Sequence, residues 1–190
     1  MRIFISGGCK NGKSFYAQHY AQRLAKNLPP DSLYYIATMK PVDPEDDNRI
    51  LKHRRDREGW GFTTIEQPVD IEKILEKCDR RFSFLLDSLT ALLANEMFLP
   101  NGSVNEHAEE KITGGLLQVI NSVKNIVFVS DYVYSDAVLY DPLTEKYRRS
   151  LAKIDCVAAL NCDVVLEIAF ANVIVHKGRE LFSDNFKVYL

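Results

Sequence analysis

The chain has 190 residues, of which 46% are hydrophobic and 26% are charged, and its formal net charge is −2. This length and composition predict one globular domain spanning residues 1–190. The small negative charge argues against a general nucleic-acid-binding protein, which would normally be basic.

The chain opens with an apolar run, a glycine-rich turn and a helical pattern. "MRIFIS" is typical of a buried parallel strand, and "SFYAQHYAQRLAKNL" carries apolar residues at helical spacing. Between them, "GGCKNGKS" fits the phosphate-loop pattern G-x-x-x-x-G-K-[ST], which requires this strand–loop–helix context. The sequence therefore predicts a nucleotide site formed by Gly7, Gly8, Cys9, Lys10, Asn11, Gly12, Lys13 and Ser14.

Each residue type in this loop has a chemical task. Glycines permit a positive φ and let backbone N–H groups turn inward around a polyphosphate. We expect Lys13 to reach the β- and γ-phosphates of ATP or GTP, and the Ser14 hydroxyl to ligate Mg²⁺. The following helix would direct its positive end at the phosphates.

A second strand, "LYYIATM", precedes a highly charged stretch. A helix is predicted from near Asp43, because "DPEDDNRILKHRRDRE" is acidic in its first turn and basic later. "FTTIEQ" then predicts a short strand, and "DIEKILEKC" a short amphipathic helix.

His53 lies within this charged helix and differs in its surroundings from His19, His107 and His176, which we expect to be structural or on the surface. Positive charges close to an imidazole depress its pKa and favour the neutral, nucleophilic form. The same charges could attract a nucleoside triphosphate, or they could simply form a solvated basic helix face. The cations are Arg49, Lys52, Arg54, Arg55 and Arg57.

The segment "RFSFLLDSLTALLANEMF" runs from a strand into a helix, with Asp87 at the strand's end. A carboxylate in this place could organise Mg²⁺, or it could share the helix N-cap with Ser88. The remaining pattern predicts a helix over 106–124, a strand "NIVFVSD", a helix near 142–160, closing strands "CDVVLEIA" and "NVIVHKG", and a terminal strand or hairpin "RELFSDNFKVYL". Alternating strands and helices predict an α/β fold with a mainly parallel sheet.

Cysteine spacing and hydropathy help to predict the cellular compartment of the protein. The four cysteines form neither a CxxC pair nor a metal-binding pattern, and reduced thiols are expected. No apolar stretch approaches the ~20 residues that span a bilayer, and the N-terminus lacks a signal-peptide pattern. We expect a cytoplasmic protein without a membrane span.

Five segments occur together in the order and with nearly the spacing of one enzyme family. The chain resembles the bifunctional adenosylcobinamide kinase and adenosylcobinamide-phosphate guanylyltransferase family of cobalamin biosynthesis. A YIAT strand followed by R-I-x-x-H-[RK] is far more specific than the phosphate loop alone. The matching segments are "ISGGCKNGKS", "YYIATM", "RILKHRRDR", "TTIEQP" and "FLLDSLTALLANEMF".

The resemblance implies a RecA-like P-loop NTPase fold and two activities. A kinase step would phosphorylate adenosylcobinamide with ATP or GTP, and a histidine matching His53 would then carry GMP from GTP to the product. Lys13 and His53 would be catalytic, Ser14 and Asp87 would hold Mg²⁺, and the family implies a homo-oligomer, commonly a trimer. The further nucleotide-contacting positions implied are Ile36, Ala37, Thr38, Arg57, Glu66 and Asp87.

The second half of the chain departs from the family pattern. Where the family usually has Asn-Glu-x-Gly, this chain has "SDYVYSDAV". Asp131 and Asp136 could replace the missing acid, or they could be solvated caps. Two alternatives therefore remain open at this point: a small-molecule kinase without guanylyltransferase activity, and a non-catalytic GTP-binding subunit.

Overall fold

The computed structural model describes residues 1–41, 51, 54–55, 57–134 and 136–182. The strands within these ranges form one seven-stranded sheet in the order β3-β2-β4-β5-β1-β6-β7. They are β1 (Arg2–Gly7), β2 (Leu33–Ala37), β3 (Thr63–Glu66), β4 (Ser83–Asp87), β5 (Asn125–Val129), β6 (Val164–Ala169) and β7 (Asn172–Lys177).

The helices connect successive strands. Leu51, Arg54 and Arg55 are helical, in the charged stretch where the sequence predicts a helix, whereas its expected start near Asp43 lies outside the described residues. The named helices are α1 (Lys13–Ala25), α2 (Ile74–Lys77) after a 3₁₀ turn (Ile71–Lys73), α3 (Leu89–Met97), α4 (Ala108–Ser122) and α5 (Pro142–Asn161).

Parallel pairing dominates the sheet, which confirms the predicted α/β fold. β1 pairs in parallel with β5 and β6, and β2 pairs in parallel with β3 and β4. β4 and β5 are also parallel, so β7, antiparallel to β6, is the exception in the described sheet. Every residue of β5 is buried, as expected for a central strand covered on both faces.

Helices cover the two faces of the sheet and enclose a separate apolar core on each. Alternation along β1 shows the division, because Ile3 and Ile5 pack on the α1 side while Phe4 packs on the other. α1 contributes Tyr16, Tyr20 and neighbouring alanines to the first core, and the second core contains the apolar faces of α3, α4 and α5. Burial of apolar side chains therefore holds helices against both faces of the sheet, with β1 contributing to both cores.

α4 forms despite Gly114 and Gly115, as the sequence predicts. A Cβ on Gly115 would lie 2.7 Å from Glu72 Oε2 and 2.9 Å from Ile71 Cγ2. The absence of a side chain therefore lets α4 approach the 3₁₀ turn closely, and this packing offsets the low helix propensity of glycine.

The end of the chain is described only in part. Residues 179–182 form a turn and bend after β7, and the rest of the predicted terminal strand or hairpin lies outside the described residues. The single domain spanning residues 1–190 stays a prediction. Among the described helices, none is both long and apolar enough to cross a membrane.

Asp155 is a buried acid on α5, behind the carboxyl ends of the central strands. Tyr134 Oη donates a hydrogen bond of 2.9 Å to Asp155 Oδ2. Burial raises the pKa of Asp155 from 3.8 to about 7, opposed by the hydrogen bond from Tyr134 and assisted by the negative charge of Asp131. The folded protein thus retains this proton at pH values where the unfolded chain has released it.

We expect Asp155→Asn to stabilise the protein in a pH-dependent way. Below about pH 4, Asp155 is protonated in both the folded and the unfolded parent protein, so it does not destabilise the fold by ionising. As pH rises towards 7, the loss of folding free energy in the parent grows. Above about pH 7 this loss stays constant, at on the order of 4 kcal/mol. The melting-temperature difference between variant and parent should follow this rise. Asp31→Asn, at an exposed left-handed turn position, is the matched control. A difference independent of pH between 4 and 8 would contradict the buried titration.

Candidate nucleotide site

The carboxyl ends of the central parallel strands meet at one edge of the sheet. Ala37 pairs with Asp87, Asp87 pairs with Val129, and Val129 pairs with Ile5. The loops that follow β1, β2, β4 and β5 therefore begin side by side. Ligand sites in open α/β sheets form at this edge.

The predicted phosphate loop follows β1 and leads directly into α1. Gly12, with φ 91°, precedes the helix, and no side chain caps the first turn. The first N–H groups of α1 are therefore available to an anion. Gly7 is held close to β6, since a Cβ there would collide with the carbonyl oxygen of Ile168. Glycine at these two positions is thus required by backbone conformation and by packing.

Lys13 is almost fully buried in the loop, with 6% exposure. Its Nζ donates to Gly8 O at 2.6 Å and pairs with Asp131 Oδ1 at 2.7 Å. The backbone N–H of Asp131 donates to Thr90 Oγ1 at 2.8 Å, which ties the end of β5 to α3. The ammonium group is consequently held where a phosphate loop places it, with a carboxylate directly opposite.

Asp87 connects the phosphate loop to the strands beside it. Its Oδ2 accepts hydrogen bonds from Ser14 Oγ at 3.2 Å and from Tyr35 Oη at 3.0 Å. Ser88, not Asp87, caps α3, because its Oγ accepts from the N–H of Ala91. Burial, with the Asp87 charge as a smaller cause, raises the pKa of Tyr35, which therefore remains a proton donor to this carboxylate.

Ser14 and Asp87 offer oxygen ligands suited to Mg²⁺. A hydroxyl and a carboxylate oxygen lie 3.2 Å apart at the start of α1. No group of three or more His, Cys, Asp or Glu side chains able to hold a metal occurs among the described residues. This set fits Mg²⁺, which commonly takes one or two protein ligands and completes its shell with water and substrate phosphates.

A pocket of about 390 Å³ opens beside Asp87. Ala37, Arg57 and Glu66 line it, as does Arg54, whose Nη2 pairs with Glu66 Oε1 at 2.7 Å. The guanidinium of Arg57 lies 3.5 Å from the centre of the Tyr35 ring. This cation–π contact fixes a buried positive charge at the wall of the pocket.

The other predicted positions fall outside the pocket wall. Ile36 is fully buried in the core, and Cys9 and Lys10 are exposed on the phosphate loop. Thr38 is also buried; its Oγ1 donates to Ser88 O at 2.8 Å and accepts from Ser88 N at 2.7 Å. Thr38 thereby ties the end of β2 to the start of α3.

The structure shows the surroundings of two charged residues that the sequence left without a definite role, Asp131 and Asp136. His53 itself lies outside the described residues. Asp136 pairs with Arg148 at 2.7 Å, far along the chain from the phosphate loop, and so anchors its own loop to α5. Its carboxylate differs in this respect from that of Asp131, which faces Lys13.

Two residues of the site were not predicted. Tyr35 reaches Asp87 through the pairing of β2 with β4, and Arg54 pairs with Glu66 at the end of β3. A signal existed in "LYYIA", where a tyrosine two residues before the strand's end points to the same face as Ala37. Arg54 was singled out only as one cation of a cluster.

Comparison with known proteins gives a family and a fold. The family model CobU, described as cobinamide kinase / cobinamide phosphate guanyltransferase, matches residues 3–172. The structure is similar to a KaiC-like protein from the hyperthermophilic archaeon Pyrococcus horikoshii OT3, with 13% identity, a TM-score of 0.50, and coverage of 94% of this chain and 79% of that one. Comparison with curated protein sequences gave no match.

A second similar structure is the P4 protein of bacteriophage phi6 in complex with ADP. It has 16% identity and a TM-score of 0.43, and the match covers 90% of this chain and 52% of that one. The parallel sheet, the phosphate loop after β1 and the KaiC-like neighbour together identify a P-loop NTPase fold of RecA-like architecture.

We expect Tyr35→Phe to lower the affinity for the Mg²⁺ that accompanies nucleotide binding. The substitution removes one hydrogen bond that orients Asp87 and keeps the ring beneath Arg57. Loss of such a supporting bond should raise the half-saturating Mg²⁺ concentration by about 10-fold or more. Titrating Mg²⁺ against nucleotide binding measures it. Tyr34→Phe, whose ring packs against Phe84 instead, is the control, and equal Mg²⁺ curves for both variants would contradict the role.

Proposed function

The chain belongs to the cobinamide kinase / cobinamide phosphate guanyltransferase family, and we propose that it catalyses both reactions of that name on a corrinoid of the cobinamide type. Membership indicates a nucleotide-dependent transferase of cobalamin biosynthesis. The observation that carries the proposal is the buried Lys13 in the phosphate loop, with Asp131 and Asp87 at the ends of the neighbouring strands.

The first reaction is phosphoryl transfer from ATP or GTP. Lys13 and the free N–H groups at the start of α1 bind and neutralise the phosphates. Ser14 and Asp87 hold Mg²⁺, which when bound supplies positive charge against the polyphosphate. Tyr35 orients Asp87, while Arg57 and Glu66 at the adjoining pocket contact the nucleotide or the acceptor.

Asp131 is the carboxylate best placed to receive a proton in the kinase step. It lies 2.7 Å from Lys13, the group that meets the terminal phosphates, and its backbone is fixed by Thr90. When a nucleotide takes over Lys13, the freed carboxylate can accept the proton of the acceptor hydroxyl. That hydroxyl oxygen then forms a bond to the γ-phosphorus as the bond to the leaving nucleoside diphosphate breaks.

We expect Asp131→Asn to separate catalysis from nucleotide binding. Removing the base should lower kcat for phosphorylation by about 10² to 10⁴. ATP affinity should stay unchanged or increase, because a negative charge that competes with the phosphates for Lys13 is lost. Steady-state kinetics and calorimetric ATP titration measure the two effects.

Asp136→Asn is the control for this experiment, since Asp136 pairs with Arg148 rather than with Lys13. A loss of ATP affinity in Asp131→Asn without a fall in kcat would contradict the assignment. Equal kcat losses in both variants would indicate a general effect of disturbing the loop at 131–141.

The second reaction is guanylyl transfer through His53. A ring nitrogen attacks the α-phosphorus of GTP, forming a P–N bond as the P–O bond to pyrophosphate breaks. A phosphate oxygen of the acceptor then attacks the same phosphorus, and the P–N bond breaks to restore the imidazole. Support comes from the sequence match "RILKHRRDR" and from Arg54, the next residue, which lines the pocket beside Asp87.

We expect incubation with Mg²⁺ and GTP labelled at the α-phosphate to leave covalent label on the denatured protein. The label should be acid-labile and alkali-stable, as a phosphoramidate is, and absent from His53→Ala. His107→Ala is the matched control, because His107 is an exposed histidine paired with Glu110. Retention of the label in His53→Ala would exclude this histidine.

Two other outcomes would select other functions. Phosphorylated corrinoid without covalent label would leave a kinase alone. Saturable GTP binding with neither label nor pyrophosphate release would leave a non-catalytic subunit. A homo-oligomer, possibly a trimer, is part of the proposal and is implied by the family resemblance. A cytoplasmic location is also proposed, on the cysteine spacing that predicts reduced thiols.

A further inference from the structure

We propose that Asn95, on α3, is a positioning residue of the nucleotide site, which holds the two walls of the pocket beside Asp87 at a fixed separation. Its side-chain amide bonds at once to the chain that follows β2 and to the chain that follows β3. This inference rests on the proposed binding of a nucleotide at this edge of the sheet, but not on the corrinoid or on either transfer reaction. It concerns the pocket rather than the phosphate loop that follows β1.

Three neighbouring segments leave the sheet to form this pocket. β3, β2 and β4 are adjacent in the sheet. The pocket wall contains Glu66 at the end of β3, Ala37 and Met39 at and after the end of β2, and Asp87 with Ala91 from β4 and α3. The strand ladders pair Glu66 with Ala37 and Ala37 with Asp87, and each ladder ends there. Beyond these pairs, contacts outside the ladders set the spacing of the walls.

Asn95 joins the segments that follow β2 and β3. Its Nδ2 donates to Thr38 O at 2.7 Å and to Pro68 O at 3.0 Å. An amide nitrogen carries two hydrogens, so each segment receives one of them. Asn95 comes four residues after Ala91, and residues i and i+4 are neighbours on a helix surface. The amide therefore lies on the side of α3 that borders the pocket.

Thr38 continues the connection from Asn95 back to α3. Its carbonyl oxygen accepts from Asn95, while its hydroxyl donates to Ser88 O and accepts from Ser88 N. These contacts form a closed ring that runs from α3 through the end of β2 to the start of α3. Thr38 is fully buried, so we infer that it affects a nucleotide through its neighbours Ala37 and Met39 in the pocket wall rather than by direct contact.

The phosphate loop is held by a different set of contacts. Lys13 pairs with Asp131 after β5, and Asn11 Nδ2 donates to Ile168 O in β6. β5, β1 and β6 lie on one side of β4 in the sheet, and β2 and β3 lie on the other. Loss of the Asn95 amide should therefore disturb the pocket and leave the phosphate-binding groups in place.

The test compares Mg²⁺-dependent binding of GTP, ATP and inorganic tripolyphosphate by calorimetry. Asn95→Ala should weaken GTP and ATP binding by a factor of about 5 to 100, because two hydrogen bonds that align the pocket walls are lost. Tripolyphosphate has no nucleoside and should bind the variant and the parent equally. At neutral pH, Asn95→Asp should lose at least as much nucleotide affinity, because it keeps the size of the side chain but presents a carboxylate oxygen to the two carbonyl groups.

Asn125→Ala is the matched control, because Asn125 also ties two segments together, at the opposite edge of the sheet. Its Oδ1 accepts a hydrogen bond of 2.9 Å from the N-terminal amino group of Met1. This variant should have a lower melting temperature but unchanged affinity for all three ligands. Unchanged GTP and ATP affinity in Asn95→Ala would overturn the proposal. So would an equal loss for tripolyphosphate, which would indicate that the whole edge of the sheet is loosened.

The outcomes also separate this inference from the proposed function. If the parent protein binds neither nucleotide nor tripolyphosphate, the nucleotide site and the role of Asn95 fail together. If Asn95→Ala weakens GTP and ATP selectively while the parent phosphorylates no corrinoid, the role of Asn95 stands and the proposed reaction fails.

Discussion

Parallel pairing of four neighbouring strands is the constraint on which the site depends. Because β4, β5, β1 and β6 all run in one direction, their carboxyl ends lie at one edge and their following loops must share that edge. The strand register places Asp87 opposite Val129, which is two residues before Asp131. β1 lies between β5 and β6, and the phosphate loop that follows β1 carries Lys13. Residues far apart in sequence thus meet because the strands that precede them are neighbours in the sheet.

The charged side chains at this edge of the sheet are paired with one another, so they can stay in place when no substrate is bound. Burying an ammonium is unfavourable unless it is paired. Asp131 and the carbonyl of Gly8 satisfy Lys13, and Tyr35 with Ser14 satisfies Asp87. Each of these contacts can be exchanged for one to a phosphate or to Mg²⁺. The free protein therefore holds the binding groups nearly in place, which lowers the ordering cost of binding.

Sequence patterns predict those parts of the site whose residues lie close together in the chain. The phosphate loop, its helix and Asp87 at the end of a strand follow from hydrophobic spacing and from G-x-x-x-x-G-K-[ST]. Asp131 could be flagged but not assigned, because its partner Lys13 is more than one hundred residues away and only strand order joins them.

The measurement that tests the account most directly is a crystal structure with Mg²⁺ and a non-hydrolysable ATP analogue. The proposed site requires the phosphates to lie in the loop of residues 7–14, Mg²⁺ to contact Ser14 and Asp87, and Lys13 Nζ to move from Asp131 to a phosphate oxygen. A nucleotide bound elsewhere, or in the loop while the Lys13–Asp131 pair stays closed, would contradict it.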